Sequence, residues 1–203
     1  TLLANGTLNG ARLQVNNGTA TVQSSGNLAT GFAEVNNLGT LNVAGRIGGA
    51  LTGNNNATVG VTGTVVGATS MNANSTLTSS GQLQNTLTLN GGSVATIQSG
   101  GNVTGATLVN DSGNLTVDNN GTLSNTLTIS ALAGTGSIAG NVVGATTSNG
   151  TLGVTGNLQS TLTVNSGTTT LANTSTVTSN VTVNDGTLLA NGTLNGARLQ
   201  VNN

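Results

Sequence analysis

Few residues in this chain have side chains able to do chemistry, and their spacing limits what chemistry is open to them. The 203 residues hold four acids, Glu34, Asp111, Asp118 and Asp185, and three bases, Arg12, Arg46 and Arg198. There is no His, Lys, Cys, Tyr or Trp. Ser and Thr are abundant, yet without His, Lys or Cys none of them has an ordinary activating base. A calcium-binding nonapeptide needs Gly-Gly-x-Gly-x-Asp, and the nearest stretch, Ser99 to Asn102, has no Asp in place. Sugar recognition by ring stacking lacks rings, because Phe32 is the one aromatic residue. Asn-x-Ser/Thr sequons such as Asn5-Gly6-Thr7 and Asn102-Val103-Thr104 recur, as Asn- and Thr-rich composition alone dictates. The expectation is therefore no catalytic, cofactor-binding or metal site, no cofactor and no enzyme. One sharper possibility rests on the pairs Thr86/Thr88, Thr126/Thr128 and Thr161/Thr163, a Thr array of the kind that orders water and binds ice. Gly-Ala-Thr segments interrupt that array at every second repeat, which argues against it.

A net charge of −1 supplies neither a basic stripe for nucleic acid nor a polybasic membrane patch. No apolar run reaches the roughly 18 residues of a membrane span, and no charged-then-apolar leader opens the sequence. With no Cys the fold does without disulfides, and 3% charged residues give little colloidal protection against association.

The elements that must position these residues are repeats. An anchor Gly-x-(Leu/Val/Ile) begins at Gly6, Gly26, Gly45, Gly63, Gly81, Gly101, Gly121, Gly140, Gly156, Ser175 (a Ser variant) and Gly192. The ten intervals cover 186 residues, an average of 18.6, and a fixed period near 20 residues is the mark of a stacked-repeat protein. Thr1–Asn17 and Thr187–Asn203 are identical, residue for residue. The chain thus reads as one 186-residue superrepeat, residues 1–186, followed at 187–203 by the start of the next copy in the same continuous solenoid. Within it, Gly-x-Val-x-Gly-Ala-Thr units alternate with (Asn/Ser)-Thr-Leu-Thr-(Leu/Ile/Val) units from Gly63 to Val164, an underlying duplication of about 38 residues.

Each unit holds three short apolar-polar alternations. The aliphatics expected to stack as the core are Leu77, Leu83 and Leu87; Leu115, Val117, Leu123, Leu127 and Ile129; and Leu152, Val154, Leu158, Leu162 and Val164. Period-2 alternation places them on one face of each strand and Thr or Ser on the other. No segment keeps a 3.6-residue period. Three strands with Gly, Asn and Ser corners fill a unit of 16–20 residues, so the predicted fold is all-β, a right-handed parallel β-helix with three short strands per coil. About ten coils per superrepeat would span about 48 Å. On that geometry Asp111 and Asp185 occupy like corners four coils apart, about 19 Å along the axis, too far to act as an acid–base pair.

An aliphatic residue followed by Asn marks one corner of most coils, at Asn16, Asn36, Asn72, Asn90, Asn110, Asn165, Asn184 and Asn202. Asn tolerates the left-handed conformation of a sharp corner, and stacked Asn amides bond along an axis as a ladder. Their expected role is structural.

The Gly-Thr-Leu-x-Val and Asn-Thr-Leu-Thr-Val coils, as at Gly150–Val154, Ser160–Val164 and Gly186–Leu189, resemble the passenger regions of Gram-negative autotransporters and related large secreted adhesins. The resemblance extends over all 203 residues and implies a secreted right-handed β-helix acting as stalk, adhesin or surface fibre. It implies an extracellular position at a bacterial cell surface and a role in surface attachment or biofilm cohesion. The absence of that family's leader, membrane barrel and cap is what an excerpt from inside a repeat array would show. The expected function is a structural repeat of a long extracellular filament or adhesin stalk. Its partner is itself, through tandem copies and end-to-end or lateral contacts, with a host or abiotic surface as a further partner. A receptor- or surface-binding adhesin module is the alternative reading.

Overall fold

The computed structural model describes residues 1–10, 12–196 and 198–202. It is a parallel β-solenoid of eleven coils, each contributing one strand to each of three eleven-stranded sheets. In the second coil the strands are Thr19–Val22, Asn27–Leu28 and Ala33–Asn36, one per sheet. Sequence neighbours never pair. Every strand of coils 2 to 10 pairs with its counterpart one coil above and below, so Leu77 stands in register with Val59 and Ala95. Coils are numbered here from the first-sheet strand that opens each, so coil 5 starts at Thr76, coil 6 at Val94, coil 7 at Asn114 and coil 11 at Thr187. The three-sided all-β coil expected from the period is what forms.

Two local features recur at the coil corners. Where the first sheet turns into the second, most anchor glycines lie directly on one another, while Gly101 and Gly121 meet the carbonyls of Ser79 and Ile97. A Cβ added at Gly45, Gly63 or Gly81 would run into the carbonyl oxygen of Gly26, Gly45 or Gly63 beneath it. Their φ values are ordinary, so it is close backbone approach that selects Gly here. At five of the corners where the third sheet turns into the first, two consecutive residues are left-handed: Asn37/Leu38 (φ 50 and 66), Asn55/Asn56, Ala73/Asn74, Gly91/Gly92 and Asp111/Ser112. This conformation lets the corner amides continue the axial bonding, with Leu38 N–H donating to Asn55 O, Asn56 N–H to Ala73 O and Asn74 N–H to Gly91 O, at 2.9–3.2 Å. The backbone ladder therefore runs around the corner as well as along the faces.

The interior is a column of aliphatics. All thirteen residues expected in the core stack are buried, at 1% exposure or less. Phe32 lies outside, half exposed, with the Arg12 guanidinium 5.5 Å from its ring centroid.

The expectation that Thr and Ser face solvent holds on most strands and fails on a definite set. Thr69, Thr107 and Thr146, the Thr of the Gly-Ala-Thr units, point inward and are buried. They stand in register with Leu51, Leu87, Leu127 and Leu162, so the pleat assigns them the core side whatever their polarity. Their hydroxyls, with those of Ser79, Ser148 and Thr169, have no hydrogen-bond partner among the described residues. By contrast Ser75 and Ser93 donate to the preceding coil, to Gly53 O and Met71 O.

Candidate functional site

The most ordered side-chain array is the asparagine ladder at the end of the third sheet. Asn36 Nδ2 donates to Asn16 Oδ1, Asn54 to Asn36, Asn72 to Asn54, Asn90 to Asn72 and Asn110 to Asn90. A second run joins Asn165 to Asn149, Asn184 to Asn165 and Asn202 to Asn184, and all eight bonds measure 2.7–3.2 Å. The eight asparagines predicted from sequence lie on this one line. Asn54 and Asn149 join them, and sequence reasoning passed them over because they follow Gly53 and Ser148 rather than an aliphatic residue. Aligning the coils by their anchor glycines, instead of searching for the aliphatic-Asn pair, would have found both.

The gap between the two runs is Ser130, whose side chain is too short to span a coil. Across it Asn149 Nδ2 donates to the backbone Ile129 O at 3.1 Å. Inside each run, an amide gives one N–H to the coil before and accepts one from the coil after. That engages half of each amide's donors and acceptors along the axis and makes the line an axial tie.

The charged groups do not converge. Glu34 pairs with Arg12 across coils 1 and 2, and Asn36 Nδ2 also donates to Glu34 Oε1 at 3.3 Å. The Arg12 hydrogen bond, then that of Asn36, holds the Glu34 carboxyl below its ordinary value. Arg46 Nη1 is satisfied by Asn27 Oδ1 and Ala29 O, both at 3.3 Å. Asp111 sits on a third-to-first corner and Asp118 just after a first-sheet strand. Among the described residues no three of His, Cys, Asp or Glu gather as a metal site would need. Concave pockets of about 260 and 370 Å³ lie against the first and last coils, where the stack presents its interior aliphatics Leu13 and Val15, and Leu188, Leu194 and Leu199.

Two solvent faces carry threonine. On the third sheet, Thr86, Thr126 and Thr161 alternate along the axis with Ala68, Ala106 and Ala145, so that column is broken at every second coil as the repeat pattern implied, whereas the column two residues on runs Thr88, Leu108, Thr128, Thr147, Thr163, Thr182 and is broken once. A longer column runs up the first sheet. Thr19, Thr40, Thr58 and Thr76 lie in consecutive register, then Val94 and Asn114 intervene, then Thr135, Thr151, Thr168 and Thr187 resume. The parallel column two residues on holds Thr21, Thr78, Thr96, Thr116 and Thr170, interrupted by Asn42, Gly60, Ser137 and Gly153. No charge lies in either column. This face was hidden in the sequence because its Thr residues open strands in units of differing motif and form a line only once the coils are in register.

Compared with known proteins, the chain matches no protein family, no curated protein and no solved structure.

Proposed function

We propose that this chain is a structural repeat of a long extracellular filament or adhesin stalk, of the kind found in autotransporter-type passengers. Its work is mechanical, supplying length, stiffness and cohesion at a bacterial surface with no catalysis and no cofactor. The observation that supports this best is an unbroken axial stack of backbone bonds on all three faces, into which the second copy of the 17-residue opening sequence is already built as coil 11. Tension along the axis is shared by three ladders and by the asparagine line, whose bonds are each modest but act in parallel.

The deciding measurement is the intact mass of the native polypeptide on a denaturing gel. A mass of several hundred kDa fits covalent tandem copies. A mass near the 19.6 kDa of this sequence would overturn the stalk reading. Surface exposure has its own check, removal of the protein from intact cells by added protease.

The first-sheet threonine face favours one second reading, adsorption to a surface through a flat, neutral, β-branched array, ice included. Thr58→Lys together with Thr151→Lys would place charges in that face without touching the core. Loss of adsorption to ice or to an abiotic surface, with the circular dichroism unchanged, would support it. Unchanged adsorption would remove it.

A further inference from the structure

From coil 3 to coil 9 one inward column of each sheet alternates in size from coil to coil, in phase on all three sheets. In the first inward column of the first sheet the order from coil 3 to coil 9 is Leu41, Val59, Leu77, Ala95, Leu115, Gly136, Leu152. The second sheet gives Ile47, Val65, Leu83, Val103, Leu123, Val142, Leu158. The third gives Leu51, Thr69, Leu87, Thr107, Leu127, Thr146, Leu162. From coil 3 to coil 9 odd coils are large in all three columns and even coils are small, whereas in coil 2 the second sheet sets Leu28 between Leu8 and Ile47. The other inward column of the first sheet compensates in the opposite phase, with Ser79, Ile97, Val117, Ile138, Val154 and Leu171 running from coil 5 to coil 10.

The large coils use the room the small ones leave. A Cβ placed on Gly136 would come within 3.1 Å of Leu152 Cδ1 and within 3.0 Å of Ile129 Cδ1, so side chains of both neighbouring coils already fill that space. At Gly53 of coil 3 the space is filled by Met71 of coil 4, in the opposite phase. Close-packed interiors tolerate neither a void nor an added methylene without cost.

We infer that from coil 3 onward the coil faces of this solenoid come in two kinds and join large on small. The partner each end face recognises is therefore another copy of this chain in the correct two-coil phase. The ten-coil superrepeat keeps that phase. Coil 11, identical in sequence to coil 1, sets Leu188, Leu194 and Leu199 over Thr169, Val177 and Val181 of coil 10. A superrepeat with an odd number of coils would set like on like at every junction.

The inference deepens the stalk reading by specifying how copies join, but its test reads folding alone, so either can fail while the other stands. The test compares three deletions in the full chain. Removing residues 94–113 (coil 6) stacks Leu77, Leu83 and Leu87 on Leu115, Leu123 and Leu127. Removing 76–93 (coil 5) stacks small on small. Removing 76–113 takes out both coils and keeps the phase. The expected order of Tm places the 38-residue deletion above either single deletion, by roughly 5–15 °C. If Tm simply falls with the number of coils removed, as a sum over identical repeats requires, the phase rule is wrong.

Should the single deletions fail to fold, Ala95→Leu keeps the question answerable. It puts Leu between Leu77 and Leu115, and its loss of Tm should be partly recovered by Leu115→Ala in the same chain. Strictly additive losses would overturn the inference.

Discussion

At the scale of single residues, the corners hold strain that their neighbours offset. Leu38 is 70% exposed with φ 66, a conformation that costs a residue with a branched side chain on the order of 1 kcal/mol. Its side chain returns little through burial, so Leu38→Gly is expected to stabilise the chain by about 1 kcal/mol. Chemical denaturation would show this as a higher midpoint with unchanged slope. Gly63→Ala should act in the opposite direction by several kcal/mol or prevent folding, because the added Cβ meets the carbonyl of Gly45. Buried unpartnered hydroxyls give a third case. Thr107→Val removes one while keeping the shape, and about 1 kcal/mol of added stability is expected by calorimetry. Glu34 provides the pH dependence. Its folded pKa lies below its ordinary value, so the Arg12 contact adds stability above the unfolded pKa and loses it as pH falls through the folded one. The pair lies on the surface, and the effect is a small drop in Tm on the acid side that Glu34→Gln abolishes.

At the scale of elements, the asparagine line and the sheets it borders behave as one tie with a known gap. Asn90→Ala leaves Asn72 Oδ1 with the long 3.4 Å bond from Ser70 Oγ and Asn110 Nδ2 without its acceptor, and a loss of about 1–3 kcal/mol is expected. Ser130→Asn should do the reverse. It places an amide between Asn110 and Asn149 and joins the two runs, so thermal unfolding should move up by a few degrees. If Ser130→Asn leaves Tm unchanged while Asn90→Ala lowers it, the amides act locally and the line is not cooperative. The period, the three strands and the corner asparagines were legible at this level because each depends on spacing within about 20 residues. Asn54, Asn149 and the inward Thr residues were not. A polar residue's side of the sheet is fixed by its register with the coil beneath, and Thr69 reads as an outward residue until Leu51 and Leu87 are set against it.

At the scale of the whole molecule, stability comes from repetition of one weak unit. A single coil buries about five aliphatics, at roughly 1.5–3 kcal/mol each, against ordering entropy of about 1–2 kcal/mol for each of its residues. Only stacked neighbours, covering both faces, tip that balance. The sequence by itself determined the solenoid, the number of strands per coil, the core aliphatics and one edge of the asparagine ladder. Those follow from a local period and from the binary pattern within each strand. Only the tertiary structure decided which residues share a column. Column membership joins residues about 20 apart through corners of varying length, such as the four residues Asp118–Gly121 against the two residues Thr62–Gly63. The first-sheet threonine face, the break at Ser130 and the large-on-small phase of the interior are all properties of columns. They exist once the backbone ladder has set each coil on the one below.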